Sequence, residues 1–144
     1  KLGVDFVSFE KKIFDSGVEV VRVLKNYSID YIVLAGFLLK IPKNIIFLYS
    51  QKIINIHPSL LPKYGGKGMY GDNVHREVLL NEENKSGITI HFVDDKYDHG
   101  KIIFQKSISV YSSDNINSLK ERVRGLERLY FPKTIEKIIL EECQ

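Results

Sequence analysis

Asn55-Ile56-His57-Pro58 sets an amide and an imidazole two residues apart at the end of an apolar run. In an extended strand that spacing sends both side chains off the same face, so both can donate hydrogen bonds to one atom. A carboxylate, Asp98, comes from the turn after a strand carrying Thr89 and His91, in the segment Gly87-Ile-Thr-Ile-His-Phe-Val-Asp-Asp-Lys-Tyr-Asp-His-Gly. If the fold brings that turn beside the Asn55/His57 strand end, one site holds an amide, an imidazole and a carboxylate. The set suits attack by an amine on an acyl carbon, which develops negative charge on oxygen and positive charge on nitrogen. Asn55 and protonated His57 would stabilise the oxyanion, at about 3–4 kcal/mol for each well-placed donor. Asp98 would favour the cationic ring and help take the amine's proton, directly or through a water. No metal and no covalent nucleophile is expected: no His/Cys/Asp cluster has metal-ligand spacing, and Ser59, between two prolines, has no base beside it.

The elements that must position these groups alternate along the chain. Residues 4–9 read as a short strand, and residues 17–27 place Val20, Val21, Leu24 and Tyr27 at helical spacing. The apolar run of residues 31–35 predicts a parallel strand buried on both faces. Pro42 fits the first turn of a short helix reaching about Tyr49. Residues 52–57 supply the next strand, and Pro58 and Pro62 force the chain out of it. The loop of residues 63–71 holds four glycines, which suits a mobile or ligand-gripping segment. Asp72 can cap a helix to about Asn81 with Val74, Val78 and Leu79 inward. From Gly87 the chain alternates, Ile88, Ile90 and Phe92 to one side, Thr89, His91 and Val93 to the other. Residues 102–110 are the simplest antiparallel partner. A last helix starts near residues 115–118 and carries Leu119, Val123, Leu126, Tyr130, Ile135, Ile138 and Ile139, with Pro132 predicting a kink or break. The expected fold is α/β: a mostly parallel twisted sheet with an antiparallel hairpin extension and helices on both faces. Ligands in such sheets bind beyond the carboxyl ends of strands, here at Gly36-Phe37 and Ile56-His57-Pro58.

Composition sets outer limits. The 144 residues, 44% hydrophobic, suffice for one domain with a real core, expected to be residues 1–144. A formal charge of +3 without a basic stripe suits phosphorylated or carboxylated small molecules and falls short of a nucleic-acid footprint. The single cysteine, Cys143, rules out a disulfide framework and makes a reducing cytoplasm the natural home. The apolar stretches are too short to span a bilayer, so no membrane partner is expected.

The run from Asn55 to Pro62, continued by Lys63-Tyr-Gly-Gly, resembles the signature of folate-dependent formyltransferases, nearest to the glycinamide ribonucleotide branch. The segment from Gly87 to Ile103 is similar to that family's second signature, with Thr89, Asp98 and Gly100 in place. The resemblance implies a Rossmann-like fold and formyl transfer from 10-formyltetrahydrofolate, as co-substrate, to the amine of 5-phosphoribosylglycinamide in purine synthesis. It assigns Asn55, His57 and Asp98 to catalysis and Thr89 to a supporting position. It places the folate against Phe37, Leu38, Leu39, Lys40 and Ile41 and against Val93, Asp94, Asp95 and Asp98. It gives the nucleotide side to Glu127, which would hold the substrate's amine end, with Pro58 and Lys63. The family's first strand and phosphate-gripping loop would lie ahead of Lys1, so the chain is expected to begin inside the family's domain. Asn73 stands where many relatives carry a histidine.

Other readings stay open at this stage. Glu127 sits among Glu121, Arg122, Arg124 and Arg128, which also describes a solvated helix face. Thr89 and His91 fit half-buried packing as well as a site role, His75 and His99 are left structural or solvated, and Tyr64, Met69 and Tyr70 fit loop packing. Another acceptor, such as an amino-sugar nucleotide or water, and a non-catalytic folate-binding module are the competing functions. The expected partners are small molecules, for a monomer or homodimer.

Overall fold

The computed structural model describes residues 3–142, and in it the alternation around Gly87 becomes β3 (Lys85–Phe92), paired antiparallel with β4 (Ile102–Ser109). Ile88 and Ile90 are buried toward one side, Thr89 and His91 toward the other, as a period of two requires. β2 (Ile53–His57) runs antiparallel to β3 with Asn55 opposite His91 and His57 opposite Thr89. Directly opposed residues share a face, so these four polar side chains stand together. β1 (Ile32–Leu34) lies parallel to β2 and completes the order β1-β2-β3-β4.

Helices cover both faces. After α1 (Lys11–Ser16), α2 (Val18–Asn26) and α3 (Lys43–Leu48) bring Val20 and Ile45, with Ile41 and Tyr49, onto Ile53. On the opposite face α4 (Asp72–Leu80) and α5 (Ile116–Glu142) bury Val78, Leu119 and Val123 against Ile88, and Phe131 against Ile54 and Ile90. Each such side chain contributes about 1.5–3 kcal/mol on burial. α5 passes through Pro132 without a break, so of the kink or break expected there the break is absent. The packing of Phe131, Ile135 and Ile138 along the sheet holds the helix on either side of the missing N–H.

Four further expectations change in detail. The antiparallel extension is present, but among the described residues one strand pair is parallel and two are antiparallel, because β3 turns back along β2 before the hairpin forms. Residues 4–9 form no strand: Phe6 is 88% exposed, and no described strand offers their backbone a partner. β1 is not buried on both faces, since it is the edge of the described sheet and leaves Val33 43% exposed. Asp72 does not cap α4; Gly71 occupies the cap, and Asp72, first in the helix, pairs with Lys120 of α5 at 2.5 Å.

Gly100 sets the close return of the hairpin. A Cβ there would collide with the carbonyl oxygen of Phe92 and stand 3.3 Å from the amide nitrogen of Asp94, backbone atoms that cannot swing aside. Gly100→Ala is therefore expected to destabilise the fold by about 3 kcal/mol, read as a lower urea midpoint at unchanged slope.

Candidate active site

The polar face of β2 and β3 is ordered by its own hydrogen bonds. His91 donates from Nδ1 to the carbonyl of Phe92 at 2.8 Å, which leaves Nε2 with its lone pair. That nitrogen accepts from Nδ2 of Asn55 at 3.1 Å. The contact fixes which way the Asn55 amide points and leaves its second N–H for another acceptor. His57 is similarly assigned: Nε2 donates to the carbonyl of Tyr64 at 2.7 Å, so Nδ1 is the free ring position. Nδ1 lies 3.5 Å from Oδ1 of Asp98, an ion-pair separation when the ring is charged. The same oxygen is 3.7 Å from Nε2 of His91, and Oδ2 of Asp98 accepts the Gly66 N–H at 2.9 Å. The sequence-predicted trio therefore converges, and His91 joins it.

The loop after β2 clamps this arrangement. Gly65 passes so close that a Cβ there would lie 3.2 Å from the Asp98 Cβ and 2.5 Å from Cδ2 of Leu61. Asp98 itself takes φ 52°, a left-handed conformation that aspartate tolerates better than most residues. Thr89 is fully buried behind the trio; its hydroxyl donates to the Ser59 carbonyl at 2.7 Å and accepts from the Leu61 N–H at 3.0 Å and from Gln105 at 2.9 Å. Its hydrogen bonds go to the loop that follows His57.

A cleft of about 790 Å³ opens beside these groups, lined by Asn55, His57, Pro58, His91 and Asp98. Phe37, Leu38, Leu39, Lys40 and Ile41, with Val93 and Asp94, supply a wall of apolar side chains and backbone; α5 supplies Lys120, Arg124, Glu127 and Arg128. Burial pushes the Glu127 carboxyl up, against the opposing pull of Arg124 and Arg128. Two predicted residues are not brought to the cleft. Lys63 turns outward because its ammonium finds Glu83 at 2.6 Å, and Asp95 is exposed at the tip of the hairpin turn. His75, buried with no hydrogen-bond partner for Nδ1 among the described residues, also lines the cleft. Sequence reasoning left His75 structural or solvated and His91 open between packing and a site role, and it did not single out the three cations of α5 as a wall of the site. The spacing of those cations, at positions 120, 124 and 128, marks one helical face, which was the available signal.

Burial holds both His75 and His91 below the ordinary imidazole value of 6.5; the Asp72 carboxylate beside His75, and the Phe92 carbonyl and Asp98 beside His91, oppose this without overcoming it. With folded values depressed, the fold favours neutral rings, so this stabilisation is complete above about pH 6.5 and is lost as pH falls below it. The urea midpoint is expected to drop between pH 7.5 and 5.5, and His91→Gln is expected to flatten that dependence.

Comparison with known proteins gives a consistent pattern. Residues 7–135 match the formyl transferase family. The chain is 41% identical over 126 residues to the chloroplastic phosphoribosylglycinamide formyltransferase of Arabidopsis thaliana, covering 88% of this chain and 43% of that protein. It is 40% identical over 126 residues to the Vigna unguiculata counterpart, covering 88% of this chain and 40% of that protein. The solved phosphoribosylglycinamide formyltransferase of Anaplasma phagocytophilum superposes with a TM-score of 0.82 at 31% identity, over 94% of this chain and 63% of that one. The chain thus spans less than half the length of these two plant relatives.

Proposed function

This chain belongs to the formyl transferase family, and on that premise we propose that it transfers the formyl group of 10-formyltetrahydrofolate to the amine of 5-phosphoribosylglycinamide in purine synthesis. The observation that carries the proposal is the meeting of the free Asn55 N–H, Nδ1 of His57 and the Asp98 carboxylate at one cleft. The folate supplies the formyl carbon; its pterin end fits the wall of Phe37, Leu38, Leu39, Lys40 and Ile41 with Val93 and Asp94. Glu127 faces the same cleft from α5 and suits the substrate's amine end, while the cations at Lys120, Arg124 and Arg128 suit a phosphorylated acceptor.

The amine adds to the formyl carbon as the C=O pair moves onto oxygen. Asn55 and the Nδ1–H of protonated His57 donate to that oxygen, with the Asp98 carboxylate 3.5 Å from Nδ1 beside them. Asp98 also lies where it can draw the proton from the attacking nitrogen, directly or through a water, before collapse expels the folate nitrogen with a proton returned to it. Donors fixed in advance by His91 and the Tyr64 carbonyl need no reorganisation as charge develops. Small molecules are the proposed partners, with no nucleic acid or membrane, in a monomer or homodimer. The single cysteine fits a reducing compartment, proposed to be the cytoplasm.

Formyl-donor consumption measured with and without phosphoribosylglycinamide tests this assignment. Consumption that depends on the ribonucleotide, and formylated ribonucleotide as product, is expected; equal consumption without acceptor would assign the site to hydrolysis instead.

A further inference from the structure

His57 is oriented through a backbone carbonyl, and the residue owning that carbonyl is itself tethered from outside the cleft. Tyr64 takes φ 55° in a loop with Gly65, Gly66 and Gly68 beside it, so nothing in its local sequence favours the conformation it holds. Its phenol donates to Oε1 of Glu83 at 2.9 Å, and Lys63 donates to the same oxygen at 2.6 Å. Glu83 is a firm post: it follows α4, with its N–H bonded to the Val78 carbonyl at 3.1 Å. The chain of contacts then runs inward. The Tyr64 carbonyl receives Nε2 of His57 at 2.7 Å, and two residues on the Gly66 N–H reaches Asp98 at 2.9 Å. One short loop segment therefore holds both members of the His57/Asp98 pair, anchored by the Ser59 hydroxyl, which donates to the Lys63 carbonyl at 2.7 Å, and by Glu83, which is what holds the Tyr64 side chain.

We propose that Glu83, though absent from the cleft wall, is a positioning residue for formyl transfer: by holding the Tyr64 phenol it fixes the carbonyl that commits Nε2 of His57 and leaves Nδ1 facing Asp98 and the reacting carbon. The proposal rests on the function assigned above. Burial and the Glu83 carboxylate push the Tyr64 phenol up to about 12, so it remains a donor throughout the working range. The Glu83 carboxyl is held below its ordinary range by its hydrogen bonds from Lys63 and Tyr64, so it remains a charged acceptor over the same range.

The test compares Glu83→Ala, Glu83→Gln, Tyr64→Phe and the Glu83→Ala/Tyr64→Phe double variant, with kcat and KM measured separately and the His57 ring nitrogens followed by ¹⁵N NMR. Glu83→Ala is expected to lower kcat about tenfold while KM for the folate moves less than about twofold, as misplacement of a catalytic group requires. Glu83→Gln keeps an acceptor for the phenol and is expected to recover most of the loss. The double variant should be no slower than the worse single one, because both remove the same bond. In the ¹⁵N spectrum the neutral fraction of the His57 ring should be mainly the Nε2–H tautomer in the wild type and a mixture of tautomers in Glu83→Ala. Wild-type kcat together with unchanged His57 shifts in Glu83→Ala would overturn the proposal. If Glu83→Ala does not fold, Tyr64→Phe cuts the same link and decides by the same two readouts. If the wild type shows no formyl transfer, the assigned function fails, while the His57 spectrum still decides whether Glu83 positions the ring.

Discussion

Asp98→Asn is expected to lower kcat by about 10³ with KM for both substrates changed far less, the signature of an interaction made mainly in the transition state. Asparagine keeps the shape and can still accept the Gly66 N–H, so the loop should close as before. What disappears is the charge 3.5 Å from Nδ1 of His57, and an amide N–H turned toward that nitrogen would oppose the protonated ring. The proton acceptor for the attacking amine is lost in the same step. Steady-state kinetics, with circular dichroism to show an intact fold, checks the prediction; a loss smaller than about tenfold would mean that Asp98 is only a loop fastener.

Asn55→Ala should cost about 10²-fold in kcat, the usual consequence of removing one preorganised oxyanion donor. A second effect follows from the geometry. Nε2 of His91 loses its donor inside a side chain that is only 2% exposed, and an unsatisfied buried acceptor costs about 1–3 kcal/mol of stability. The variant should therefore be both slower and less stable, seen as a reduced urea midpoint beside reduced turnover. Asn55→Asp should be worse in turnover than Asn55→Ala, because it puts a second carboxylate where negative charge develops.

Asn55 and His57 were legible because a spacing of two in an apolar strand is enough to place both on one face. Asp98 was legible as a turn residue, but its approach to His57 depends on the antiparallel register of β2 with β3, which no periodicity contains. The same register explains why His91 could not be separated from ordinary packing: its function is to sit opposite Asn55, a relation between strands. Lys63 was misplaced for a complementary reason. It belongs to the recognisable run, yet its long side chain follows the nearest carboxylate, Glu83, twenty positions away. The 4–9 stretch has strand-forming residues, but a strand exists only where another accepts its hydrogen bonds. On α5, spacing gave Lys120, Arg124, Glu127 and Arg128 a common face; only tertiary packing made that face a cleft wall.

The central claim is that His57 and Asp98 act as one unit on a single reacting carbon. A double-mutant cycle on formyl transfer, comparing His57→Ala, Asp98→Ala and the combined variant, measures this directly. The combined variant is predicted to be no more than about threefold slower than the slower single variant, because either change dismantles the same pair. Losses that multiply in full would contradict it, showing two groups that work independently.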